Sequence, residues 1–306
     1  MNRLNISVSP HFHDKSTTQS IMIDVITALL PTAVMGIIIY GINALSVIAT
    51  GIGFAIISEI IFNKIAKKPQ TASDMSAVVT GLLLALSLPA NIPLWQVAIG
   101  AIFAIVIVKG VFGGIGQNFA NPAITARIFM LVAFSSMVTQ AFPVTDTVSS
   151  ATPLEILENG GSVDIMSLIT GYRGGAIGES CTIALLVGGI YLLIRKVITW
   201  HTPVSYILTV FLFSLILTGD VMTALSYTFA GGLIIGAFFM ATDYATTPYM
   251  PLGKLIFGFG AGIITVLIRF YGNYPEGVSF AILFMNILTP YIDKWTRKKP
   301  FGGDIK

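Results

Sequence analysis

The sequence predicts an all-α integral membrane protein of about ten transmembrane helices, and three observations predict it. Hydrophobic residues fill 55% of the 306 positions and charged residues only 10%, with a mean hydropathy of +0.85, where a soluble domain carries about a quarter charged. Apolar runs of membrane-span length recur along the whole chain. The basic residues gather at alternate ends of those runs.

Taken in order, a polar tail (1–20) precedes runs near 22–41, 44–62, 75–90, 94–111 and 121–141. A polar segment (142–178) separates these from runs near 179–197, 202–219, 222–240, 253–271 and 277–293, and a basic tail (294–306) follows. The third run, from Met75 to Pro89, is short for a bilayer and predicts a tilted, broken or partial crossing. The chain thus divides into a first membrane half (21–141) and a second (179–293) of five spans each. An odd count per half gives an internal duplication inverted topology, an arrangement that places sites at the interface of the halves. Polar breaks fall at comparable places, at Thr71-Ala72-Ser73-Asp74 and at Ala241-Thr242-Asp243-Tyr244-Ala245-Thr246-Thr247-Pro248, although residue similarity between the halves is not evident.

Charge sets the orientation. With the N-terminus in the cytoplasm, 14 of the 17 Lys and Arg fall on the inner side, namely Arg3, Lys15, Lys64, Lys67, Lys68, Lys109, Arg195, Lys196, Lys254, Lys294, Arg297, Lys298, Lys299 and Lys306. Only Arg173 and Arg269 fall outside, and Arg127 lies within the fifth span. This bias places both termini in the cytoplasm and the 142–178 loop outside the cell membrane. The first span has no small-residue cleavage site behind it and is expected to be retained as a helix.

Composition also excludes several functions. The net charge of +3 comes from the inner loops, and no basic stripe with interleaved aromatics suggests nucleic acid. The single cysteine, Cys181, allows no internal disulfide and no cysteine-built metal or iron–sulfur centre from this chain alone. His11, His13 and His201 are too scattered for a metal site. Gly258-Phe259-Gly260-Ala261-Gly262 lies inside an apolar span with no strand before it, so it is read as helix packing and not as a nucleotide loop. Gly110 with Gly114, Gly232 with Gly236 and Gly258 with Gly262 are small-xxx-small pairs that let helices approach. Trp95, Trp200 and Trp295 stand near span ends, as interfacial anchors do.

The most informative stretch is Asp146-Thr147-Val148-Ser149-Ser150-Ala151-Thr152-Pro153-Leu154-Glu155, a hydroxyl-rich island in an apolar chain. Its plain reading is a helix start: Thr152 as N-cap, Pro153 in the first helical position and Glu155 completing a capping box, with a stop at Asn159-Gly160-Gly161. Asn121-Pro122 opens the fifth span in the same way, with Arg127 snorkelling or pairing inward.

The run Asp146 to Thr152 also resembles the D-x-x-[ST]-x-A-T flavinylation motif. Together with Pro153, Leu154 and Asn121-Pro122-Ala123-Ile124-Thr125-Ala126-Arg127, it is similar to the D subunits of Rnf complexes, relatives of the B subunit of the sodium-pumping NADH:quinone reductase. The likeness covers essentially the whole chain; Ser150 stands where flavinylation sites often have Gly, a small residue for a small residue. It implies FMN bound through a phosphoester to Thr152, with Asp146, Ser149, Ser150 and Ala151 as the recognised surroundings and Ser149 or Ser150 as rival acceptors. A helix starting at Pro153 would aim backbone N–H groups at the phosphate. It further implies a second, noncovalent flavin (riboflavin) that no residue here locates, and Asn121 and Arg127 near a flavin or a neighbouring protein of the complex.

The implied activity is electron transfer within an ion-translocating ferredoxin:NAD oxidoreductase of the prokaryotic inner membrane. The nicotinamide and iron–sulfur sites then belong to partner subunits, a flavin-bearing G-like, membrane A/E-like, NADH-site C-like and iron–sulfur B-like set. Apart from the resemblance, the residues fit equally a solute channel or secondary transporter of inverted repeats that uses Asp74 and Asp243. Those two acids sit beside the hydroxyl-rich breaks and are the candidates for lining a polar cavity, whereas Asp24, Glu59 and Asp220 read as helix ends at the interface.

Overall fold

The computed structural model describes residues 17–134, 152–161, 163–171, 174–272 and 277–297. Among these the regular elements are all helical. The first half contains α1 (Thr18–Tyr40), α2 (Ile42–Ile65), α3 (Ser76–Leu86), α4 (Leu94–Val111) and α5 (Pro122–Ala133). Two short helices, α6 (Pro153–Glu158) and α7 (Ile165–Thr170), occupy the loop between the halves. The second half contains α8 (Thr182–Ile194), α9 (His201–Thr218), α10 (Val221–Phe229), α11 (Leu233–Met240), α12 (Pro251–Tyr271) and α13 (Val278–Thr296).

Each expected span has a helix within it, yet the lengths do not amount to ten uniform crossings. Five helices (α1, α2, α4, α9 and α12) are long and apolar enough to cross a membrane, or six if the bent pair α10 and α11 counts as one. The short third span is as expected: α3 has 11 residues and reaches about 16 Å, roughly half the hydrocarbon thickness. Two other departures were not foreseen. The eighth span breaks at Ala230-Gly231-Gly232 with a bend of 63°. Both α4, from Phe103, and α11, from Gly236, end in π-helical turns. An inverted duplication finds only an echo here, one short and one broken helix in corresponding halves.

Close backbone approach is what packs these apolar helices. A Cβ on Gly81 of α3 would stand 2.5 Å from the Gly51 carbonyl oxygen of α2, and one on Gly258 of α12 would stand 2.7 Å from the Thr202 oxygen of α9. Gly262 lies against Thr209 in the same seam, so the pair Gly258 and Gly262 performs the packing expected of it, while Gly114 borders open space. Without a hydrophobic drive between helices in lipid, such approach and the hydrogen bonds it permits hold the bundle. Tyr206 of α9 and Thr265 of α12 share one at 2.7 Å in the fully buried interior.

The helices define two faces. Thr18, the ends of α2 and α4 and the starts of α5 and α12 lie at a basic face with Lys64, Lys67 and Lys68. The C-terminal end of α1 lies at the other, where Tyr40 meets Ser180 and Gly175 beside the loop between the halves.

Candidate functional site

At the loop face, Thr152 forms the cap read from the sequence. Its Oγ1 accepts from the Glu155 N–H at 3.3 Å, and Glu155 Oε2 accepts from the Thr152 N–H at 2.7 Å. The arrangement limits the expected phosphate seat. Pro153 has no N–H and that of Glu155 is already taken, so of the first-turn amides only Leu154 remains to face an anion. Asp146, Ser149, Ser150 and Ala151 lie outside the described residues.

Below the cap, Leu154 and Leu157 bury against Tyr227, Ala230 and Leu168, and Leu154 comes within 2.7 Å of where a Gly231 Cβ would stand. α6 therefore rests directly on the break between α10 and α11. The break leaves carbonyls of the last turn of α10 without helical partners, and Arg269 takes two of them, donating to Tyr227 O at 2.5 Å and Ala230 O at 3.2 Å. On the other side, Gly232 abuts the Glu179 carboxylate, which pairs with Arg127 at 3.3 Å. Glu158, exposed at the end of α6, has its carboxyl pushed above the usual range by desolvation and then by Glu155, with Arg269 opposing.

Arg127 reaches inward from α5, whose start is anchored by Asn121. The Asn121 Oδ1 accepts from Ala123 N and Ile124 N, and its Nδ2 donates to Met240 O at 3.2 Å, tying α5 to the end of α11. In the amide orientation that satisfies both its atoms, Asn286 accepts from Asn121 N at 3.1 Å and donates to Thr246 O.

Two adjoining cavities open near the basic face. The larger, of about 410 Å³, is mostly apolar, with Met22, Val25, Leu83 and Phe239 in its wall and Lys109, Asn118, Asn121 and Asp243 as polar groups. The buried Oδ1 of Asn118 has no partner among the described residues. Asp243 is half-buried, and desolvation raises its carboxyl above the ordinary range against hydrogen bonds from Thr246, Ala245 and Tyr244. The smaller cavity, of about 290 Å³, is lined by Glu59, Asn63, Lys68, Thr71, Asp74 and Lys109 among others. Lys109 Nζ lies 2.6 Å from Glu59 Oε1 and 2.5 Å from Ser76 Oγ, and Ser76 in turn donates to Asp74.

The family model described as "NQR2, RnfD, RnfE family" matches residues 5–302. The chain belongs to the NQR2, RnfD, RnfE family. It is 45% identical over 99% of its length to the D subunit of the Na+-translocating ferredoxin:NAD+ oxidoreductase complex of Acetobacterium woodii, 97% of which is covered. It is 43% identical over 98% of its length to the D subunit of the proton-translocating ferredoxin:NAD+ oxidoreductase complex of Clostridium ljungdahlii, again with 97% of the relative covered. A third relative, the D subunit of the ion-translocating oxidoreductase complex of Actinobacillus succinogenes, is 34% identical over 97% of both chains.

In this family member the residues marked from sequence fall at two levels. Thr152 stands at the loop face; Asn121 and Asp243 share the larger cavity, Asp74 lines the smaller, and Arg127 pairs inside the bundle. Asp220 behaves as a helix-end residue, capping α10, whereas Asp24 lies inside α1, past its first turn, and pairs with exposed Arg195. Glu59 is no helix-end residue either, being 3% exposed and paired. Lys109 and Arg269, counted among the inner and outer basic residues, are instead buried at 4% and 2% exposure. Their position within apolar runs was the available signal, because an ionisable group inside a span faces the bundle and a partner.

Proposed function

We propose that this chain is the membrane-embedded, FMN-carrying electron-transfer component of a ferredoxin:NAD oxidoreductase complex that couples electron flow to Na+ or H+ export. The observation that carries this reading is the position of Thr152: a half-buried hydroxyl capping a helix that is seated on the broken crossing, in a chain of this family. The surroundings fit a phosphodiester in part. Thr152 is half-buried and not enclosed, and the Arg269 guanidinium beneath Gly231 offsets a negative group, while Glu155 and Glu158 oppose it.

FMN, when attached, supplies the one- and two-electron redox chemistry. The chain's own contribution is placement. The cap fixes the direction in which Thr152 presents its oxygen, and Leu154 and Leu157 dock that turn on α10. Arg127 and Glu179 hold a compensated charge pair beside Gly232, so the interior below the loop is polar without being open to lipid. The 410 Å³ cavity, within the range of small-ligand sites, has room for the second, noncovalent flavin, to whose polar ring edge Asn118 and Asn121 would offer amides. FMN held on Thr152 would exchange electrons with a flavin-bearing neighbour, and nicotinamide and iron–sulfur chemistry would belong to other members of the complex. The excess of basic residues supports an orientation with the Lys68 face in the cytoplasm and the Thr152 loop outside the inner membrane.

The test is direct. Protein from cells able to attach the flavin, denatured and run on a gel, should fluoresce under ultraviolet light, and Thr152→Ala should abolish the band. A peptide around residue 152 found only at its unmodified mass refutes the reading and leaves a permease as the better account.

A further inference from the structure

We propose that Glu59 and Lys109 form a proton-transfer station that passes protons from water in the smaller cavity at the basic face to the larger cavity beside it, whose wall runs inward to Leu83 and Phe239. The inference rests on the chain belonging to a cation-moving complex, as proposed above, but it assigns a path and an ion to residues that no flavin chemistry requires.

Four observations carry it. Glu59 and Lys109 are paired at 2.6 Å with side chains 4% and 5% exposed, in helices α2 and α4 of a membrane bundle, where ionisable groups are costly and mark functional paths. Glu59 Oε2 is buried and has no partner among the described residues, and Glu59 lines the 290 Å³ cavity. Lys109 lines both cavities and so forms part of the partition between them. Around the pair the backbone is unusual: Lys109 rides on the π-helical turn of α4, a feature frequent at functional sites, and Met75, between Asp74 and Ser76, is held at φ +64°, rare for a residue with a side chain.

The charged groups favour a proton over a metal cation. Glu59 and Asp74 supply two carboxylates to the smaller cavity, but Lys68 and Lys109 face it as well. The Lys109 ammonium already takes the place a sodium ion would need between Glu59 Oε1 and Ser76 Oγ. The step balances with no redox partner. The free oxygen of the Glu59 carboxylate first takes a proton from water in the 290 Å³ cavity; the Lys109 ammonium then releases one proton into the 410 Å³ cavity, whose remaining charged side chain is Asp243; and the neutral amine takes the proton of the Glu59 carboxyl, which restores the ion pair.

Single neutral variants strand a buried charge, so the informative protein is Glu59→Gln with Lys109→Met, in which both charges go together. In inverted membrane vesicles holding the whole complex, the Thr152 band should still fluoresce, and the NAD+ reduction that reduced ferredoxin drives, at whatever rate remains, should proceed with proton uptake per electron lost. Uptake at the unaltered ratio shows that the pair only fixes α2 against α4 and overturns the proposal. Transport of radioactive sodium without protons by the unaltered complex overturns it too. Should the double variant fail to assemble, the unaltered complex decides: a hydrophobic carbodiimide, which adds to protonated carboxyls in apolar surroundings, should label Glu59 in step with the loss of proton uptake. Uptake that survives full labelling of Glu59, or an unlabelled Glu59, removes the proposal, whereas a missing fluorescent band in otherwise pumping vesicles removes only the flavin reading.

Discussion

Gly81→Ala and Gly53→Ala are the same substitution in neighbouring helices and should act with opposite sign. A Cβ on Gly81 would stand 2.5 Å from Gly51 O and 2.9 Å from both Gly51 C and Ile52 Cα, all backbone atoms that no rotamer change can move. Gly51 and Ile52 must retreat by roughly an ångström, and overpacking of this kind costs about 1–3 kcal/mol. Replacing helical Gly by Ala returns about 0.5–1 kcal/mol, so Gly81→Ala remains a net loss. At Gly53 a Cβ meets nothing within 4 Å, and only the helical gain applies. At roughly 2–4 °C per kcal/mol for chains of this order of size, the two midpoints should separate by several degrees. Heating the detergent-solubilised proteins and following the surviving monomer by size-exclusion chromatography measures this. Equal midpoints for the two variants would refute the close packing of α3 on α2, and with it the placement of Ser76 beside Lys109.

Two further outcomes follow from the site. Asn121→Ala removes a cap and leaves the Met240 carbonyl without its donor; the two together cost roughly 2–4 kcal/mol, and Asn121→Asp, which keeps the cap, should fall between it and the unaltered protein in the same heating assay. Because the Glu158 carboxyl is raised in the folded state by desolvation and by Glu155, ionising it works against α6, so the helix should lose hydrogen-exchange protection as pH rises through that raised value. Glu158→Gln should protect α6 more than the unaltered protein at neutral pH and equally at acid pH; a pH-independent difference between the two contradicts this.

How much could be read from the chain depended on whether the signal was local. The cap at Thr152 was legible because Thr-Pro-Leu-Glu is complete within four residues, and the shortness of α3 because its polar and proline boundaries are contiguous with it. The place of each helix followed from hydropathy. The break in the eighth span was not legible, since Ala230, Gly231 and Gly232 differ little in hydropathy from small residues in unbroken helices. Lys109 with Glu59 and Arg127 with Glu179 escaped for a different reason: the partners lie 50 and 52 residues apart, and counting charges by side assigns a lysine to a loop whether or not it is buried. The run resembling a flavinylation motif is the reverse case, conspicuous as a string yet almost wholly outside the described residues.

The broken crossing bears on the order in which such a protein is made. Since Arg269 already satisfies carbonyls that the break exposes, and Leu154 and Leu157 already seat the capping turn, the platform needs no prosthetic group to be complete. On the proposed flavin reading, membrane insertion and flavin loading are then separable stages of biogenesis, and an enzyme that modified the loop would meet a finished substrate instead of a nascent one.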